Sequence, residues 1–83
     1  MNKEDVLNRM QIIFREVLDL PELIISSETN AYHIPEWDSI AQIQLVIHIE
    51  RYFKIQFTAK EIAEIKNVGE MVDAILNKLG KNT

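Results

Sequence analysis

Few side chains in this sequence could do covalent or acid–base work, and they do not gather into a catalytic set. It has 2 histidines, 13 acidic residues and no cysteine. Without cysteine there is neither a disulfide nor a thiolate metal site, so any thiol chemistry must arrive on something attached. His33 and His48 lack a third ligand at metal-binding spacing and read as surface residues. Glu61 and Glu64 are neighbours on one helical face, but Glu61 also completes the capping box Thr58-Ala59-Lys60-Glu61. A solvated helix face explains that pair better than paired acid–base catalysis does. The group that stands out is the hydroxyl of Ser39, directly after Asp38. Serine is a weak nucleophile unless a base activates it, and no histidine lies near it in sequence. Ser39 therefore reads as a residue acted on by another enzyme rather than one that acts.

The elements that would position Ser39 follow from hydrophobic spacing. Val6, Leu7, Met10, Ile13, Phe14, Val17 and Leu18 form one helical stripe, which predicts a first helix over 3–19 with Asn2 as its cap. Pro21 cannot continue it. Residues 20–37 lack sustained periodicity and contain both prolines, so they read as a long connection. Leu23, Ile25, Tyr32 and Trp37 are its expected anchors, with room for one short helical turn. A second helix is expected over 39–53, capped by Asp38, whose side chain can accept from first-turn amides. Ile55 and Phe57 should plug the core in the next connection. A brief third helix opens at the Thr58 box and runs to about residue 64. Asn67 caps a fourth, whose stripe is Val68, Met71, Val72, Ile75, Leu76 and Leu79, and Gly80 suits its C-terminal end. The fold class is thus all-α: a four-helix bundle with a long loop between helices 1 and 2 and a short helix 3, in one domain over 1–83.

The second helix carries more apolar surface than one core face requires. At 100° per residue, Leu45, Val46, Ile49, Tyr52 and Phe53 share a broad arc that should face the core. Ile40, Ile43 and Ile47 form a second strip beside it. Gln44, His48 and Arg51 fill the polar side, and Glu50 lies between the two apolar arcs. The second strip reads either as more core, for which Ile43 fits equally well, or as an exposed ridge for docking a partner. Ser39 begins this helix and projects near the same strip.

Composition narrows the partners. The net charge is −4, which repels phosphate backbones, and no helix carries a basic face, so nucleic acid is a poor partner. No apolar run approaches the ~20 residues of a membrane span. The first residues lack the basic-then-apolar order of a signal peptide, which points to a cytoplasmic protein. A chain this short buries only ~60–65% of the surface its unfolded form exposes, so function should lie on the surface.

Trp37-Asp38-Ser39-Ile40 resembles the Asp-Ser-Leu motif of acyl carrier proteins, and the likeness extends over nearly the whole chain. It takes in helix 1, the long loop ending at Asp-Ser, a helix closing on an aromatic residue, the short helix 3 and the closing helix 4. A lone Asp-Ser pair means nothing; its position at the head of the second helix carries the resemblance. The resemblance implies an acyl-carrier bundle in which Ser39 bears a covalent 4′-phosphopantetheine arm taken from coenzyme A, with Asp38 presenting the serine. It implies a phosphopantetheinyl transferase using magnesium, acyl-loading and acyl-processing enzymes as partners, and a monomeric, non-catalytic carrier. Ile40, Ile43, Ile47 and Glu50 are the expected partner-binding residues. Two departures stand out: isoleucine replaces the commoner leucine after Ser39, and helix 2 lacks the strong acidity of fatty-acid-synthesis carriers. Weaker electrostatic steering points to a specialised lipid, polyketide or aminoacyl pathway. The competing reading is a small helical interaction module that leaves Ser39 bare.

Overall fold

A computed structural model describes residues 2–81. Four helices, α1 (Lys3–Leu18), α2 (Ser39–Phe53), α3 (Ala59–Glu64) and α4 (Val68–Lys81), form the expected all-α arrangement, with α1 packed against both α2 and α4. Among the described residues the only β-type pairing is a single bridge between Asn30 and Asn67.

Local chemistry fixes the helix ends. The Asn2 side chain accepts from the Asp5 amide at 2.8 Å, and the Asp5 carboxylate accepts from the Asn2 amide in return. Asp19 is the left-handed cap that ends α1, with φ of 55°, so the helix stops one residue before the expected limit. Lys54 does the same for α2, with φ of 58°. Thr58 and Glu61 complete the expected capping box of α3, and Asn67 Oδ1 accepts from the Glu70 amide at 2.8 Å to open α4. Gly80 does not end α4: the helix runs through it to Lys81, and no glycine adopts a positive φ.

The core is one apolar cluster. Val6, Met10, Ile13, Phe14 and Leu18 of α1 meet Ala41, Leu45, Ile49 and Phe53 of α2 and Val68, Met71, Val72 and Ile75 of α4. Ile55 is buried as expected, while Phe57 is half-buried against the cluster. Tyr52, expected on the core face, is instead 45% exposed. The stripe at Leu45, Ile49 and Phe53 already fills the seam, so Tyr52 lies at its flank. There its ring stacks edge-on against Phe53 and takes the Arg9 guanidinium 4.0 Å from its centroid, leaving the phenol towards water.

The long connection is held by anchors and by backbone ties. Ile25, Ile34 and Trp37 are buried, and Leu23 is half-buried. Tyr32, an expected anchor, is 98% exposed. It lies in a single 3₁₀ turn, Ala31–His33, capped by Asn30, whose three side chains all face solvent; Ile34, just beyond the turn, makes the inward contact. The Arg15 guanidinium donates to the Leu23 carbonyl at 2.7 Å, and the Ile25 amide donates to Gln11 at 3.0 Å. The first amides of α4 complete the tie: Val68 donates to the Thr29 carbonyl and Gly69 to the Ser27 carbonyl, both at 2.8 Å. Loop carbonyls thus satisfy helix-end donors that would otherwise need water.

That close approach explains Gly69. A Cβ there would stand 2.8 Å from the Ser27 carbonyl oxygen, whereas one at Gly80 would meet nothing within 4 Å. Gly69→Ala should therefore force the loop off α4 and cost about 1–3 kcal/mol through the lost bond and the strain. Gly80→Ala should be neutral or stabilising by up to ~1 kcal/mol, because alanine is the better helix former. Thermal melting of the two variants separates these outcomes.

Candidate functional site

Ser39 is the first residue of α2, and its side chain is exposed. The Asp38 carboxylate accepts from the Ala41 amide at 2.8 Å, and the Asp38 carbonyl accepts from the Gln42 amide at 2.9 Å. Among the described residues, the backbone amides of Ser39 and Ile40 and the Ser39 hydroxyl meet no acceptor or base. The helix therefore begins with two free donors and the positive end of its dipole beside a free hydroxyl. Such a place stabilises an anion bonded through that oxygen.

Trp37 holds this arrangement in place. Its ring is buried and lies edge-on to Phe14, with centroids 4.9 Å apart and planes at 87°. Its indole N–H donates to Gln42 Oε1 at 2.7 Å, one turn into α2. Since an indole nitrogen only donates, the bond also fixes which end of the Gln42 amide faces the ring. A buried tryptophan needs a partner for that N–H, so the bond was in principle readable from sequence, although nothing singled out Gln42.

Ser39 opens onto a surface depression of about 390 Å³. Trp37, Asp38 and Gln42 line it together with Ala31 of the long connection and with Ile62, Ile65 and Lys66 from α3 and the segment after it. Sequence spacing did not mark Ile62, Ile65 or Lys66, because tertiary packing alone brings them to Ser39. Ile62 belongs to α3, which is pinned to α4 by the Lys78 ammonium, 2.8 Å from Glu61 Oε2, while Ile65 and Lys66 follow it in the connection to α4. That ammonium, with the Thr58 amide, holds the Glu61 carboxyl at about 2, below its ordinary 4.5.

The expected docking residues fall on one exposed face of α2. Ile40, Ile43 and Ile47 are 70%, 56% and 41% exposed, so the second strip is surface and not additional core. Gln44, His48 and Arg51 are exposed alongside it. Glu50 is half-buried, and its Oε2 accepts from the Phe57 amide at 2.8 Å, which ties the end of α2 to the connection before α3. His33 and His48 are far from forming a metal set: among the described residues, no three such side chains come together to hold an ion.

Comparisons with known proteins agree with this geometry. A family model described as a phosphopantetheine attachment site matches residues 8–75. The acyl carrier protein of Picosynechococcus sp. is 30% identical over 82 residues, covering 99% of this chain and all of that one. The acyl carrier protein of Acidothermus cellulolyticus is 27% identical over 77 residues, covering 93% and 92%. The solution structure of a holo acyl carrier protein from Geobacter metallireducens superposes with a TM-score of 0.86 at 34% identity, covering 93% of this chain and 88% of its own.

The wall of the depression has a pH signature. The depressed Glu61 carboxyl adds stability above its ordinary value of 4.5, and that contribution is lost as pH falls from there towards about 2. In Lys78→Ala the carboxyl should titrate nearer its ordinary value, and the acid-induced fall in Tm across that window should shrink. Carbon-detected NMR titration of the Glu61 carboxyl checks the first point and melting against pH the second. A Glu61 titration unchanged in the variant would show that Lys78 is not what holds it down.

Proposed function

The chain belongs to the acyl carrier protein family, and on that premise we propose that Ser39 is its phosphopantetheine attachment residue. The observation that carries the assignment is the free hydroxyl at the first position of α2, inside the span matched by the family model and open to the depression. The residues present fit the group: the hydroxyl meets no partner, the first amides of the helix are open to an anion, and the adjoining surface leaves room for a flexible arm.

A phosphopantetheinyl transferase carries out the loading with coenzyme A and magnesium. The Ser39 oxygen forms a bond to phosphorus, the bond from that phosphorus to the adenosine bisphosphate half of coenzyme A breaks, and the hydroxyl proton passes to a base of the transferase. This chain supplies no base hydrogen-bonded to Ser39, and it acts as substrate and carrier, not catalyst. The arm supplies the thiol on which acyl or aminoacyl groups are held as thioesters. Asp38 caps the helix and presents Ser39 to the transferase.

Delivery to acyl-loading and acyl-processing enzymes uses the exposed ridge of Ile40, Ile43 and Ile47. Glu50 borders that ridge, with one carboxylate oxygen committed to Phe57 and the other left for a partner. The ridge runs back from Ser39 along the same helix, so a partner that grips it has the attachment point within the contact. Besides Glu50 its exposed neighbours are Gln44, His48 and Arg51 rather than further carboxylates, which suits a dedicated carrier of a specialised lipid, polyketide or related pathway. We place this one-domain carrier in the cytoplasm as a monomer; among the described residues no helix is long and apolar enough to cross a membrane.

Incubation with coenzyme A, magnesium and a broad-specificity transferase should add the mass of one phosphopantetheinyl group, and Ser39→Ala should abolish the gain. No gain with several transferases would leave a bare helical interaction module. Ile47→Asp should raise the KM for loading roughly tenfold, the scale of one truncated docking anchor, with Tm unchanged. A collapsed Tm in that variant would instead make Ile47 a structural residue.

A further inference from the structure

Among the described residues, Lys66 is the only basic one lining the depression beside Ser39. Its ammonium has no ion-pair, hydrogen-bond or ring partner among the described residues, in contrast to Lys78 and Lys3, which pair with Glu61 and Asp73. Asp38 also lines the depression, and its negative charge, next in sequence to Ser39, opposes any anion placed there. The free amides of Ser39 and Ile40 offset that repulsion from one side only. Ile62 and Ile65 line the same depression with apolar surface, and among the described residues that line it Lys66 carries the only positive charge. Gln42, which also lines the depression, has its carbonyl oxygen committed to the Trp37 indole, so the polar atom it retains for a ligand is the amide nitrogen, a donor.

We propose that Lys66 is the counter-ion of the phosphodiester carried by Ser39, a positioning residue that holds the root of the arm over the depression. This rests on the attachment reading given above. An ammonium on a flexible stem suits the role: it can meet a phosphate as a point charge yet release it when a partner draws the arm away. Gln42 supports it by donating from its amide nitrogen to the inner part of the arm. The charge pair is exposed to solvent, so its strength is modest and falls with salt. The consequence is a bias, not a lock. Between encounters the arm leans towards α3, and on docking it is freed.

The test compares apo and holo forms of the intact protein as wild type, Lys66→Arg and Lys66→Glu, each holo form verified by mass. Phosphorus NMR reads the diester directly, and melting reads the difference in Tm between holo and apo, so that folding effects of the substitution cancel. Lys66→Glu is expected to shift the phosphorus resonance and to lower the holo-minus-apo difference by roughly 2–4 °C at low salt, with both effects fading near 1 M salt. Lys66→Arg should stay close to wild type. A phosphorus resonance and a Tm difference that match wild type in Lys66→Glu would overturn the role of Lys66 while leaving the attachment reading intact. Failure of the wild type itself to gain the arm would overturn both.

Discussion

The indole of Trp37 is where the long connection, the core and the second helix meet, and the position of Ser39 depends on that junction. A loop of this length has many ways to approach a helix, and without an anchor the first turn of α2 would fray. Burying the tryptophan against Phe14 fixes the chain two residues before Ser39, and the bond from its N–H to Gln42 ties the same ring to the turn that follows. Asp38 then caps α2 between these two constraints. The exposed Ser39 is consequently presented on a fixed backbone although its hydroxyl has no hydrogen-bond partner among the described residues, an arrangement that the proposed attachment would use.

The remainder of the loop is held by a different economy. Its carbonyls at Ser27 and Thr29 accept the first amides of α4, so one set of hydrogen bonds both completes a helix end and pins an irregular segment. Gly69 permits this approach because a side chain there would collide with the Ser27 carbonyl. Arg15 and Gln11 reach from α1 to the other end of the same segment. The loop is therefore part of the frame around the site, and Ala31 at the start of the 3₁₀ turn lines the depression beside Ser39.

How much of this was legible follows from the range of each interaction. Capping signals and apolar stripes act over three or four residues, so all four helices could be read from sequence, along with Asp38 as cap and Ser39 at the head of α2. The misreadings occurred where several residue types could satisfy the same local pattern. Tyr32 is an expected anchor, but it lies in a 3₁₀ turn whose side chains face solvent, and Ile34 just beyond the turn is buried instead. Tyr52 shared an arc with the core residues, but the seam between α1 and α2 was already filled, and its hydroxyl gains from water. Gly80 looked like a stop, but a glycine can also simply continue a helix. Ile62, Ile65 and Lys66 lie more than twenty residues beyond Ser39, and no short-range pattern connects them to it.

The charge distribution explains how such a small acidic chain can still select partners. Most of its carboxylates lie on α1, the long loop, α3 and α4, while α2 between its two ends holds only Glu50 and Arg51 as charged residues. One of those is already bonded to the Phe57 amide. The outward strip of α2 therefore offers isoleucine side chains beside neutral and cationic groups, and the acidic remainder of the surface surrounds it. On the function proposed above, a strongly cationic partner would be drawn to carboxylates spread over the rest of the surface as well as to Asp38 beside Ser39, and would lose orientation. A partner with an apolar contact patch and little positive charge meets no such competition, and for it the three isoleucines lead directly to the serine. On the proposed function, selectivity would then come from desolvating an apolar strip at short range, with long-range charge serving mainly to discourage the wrong enzymes.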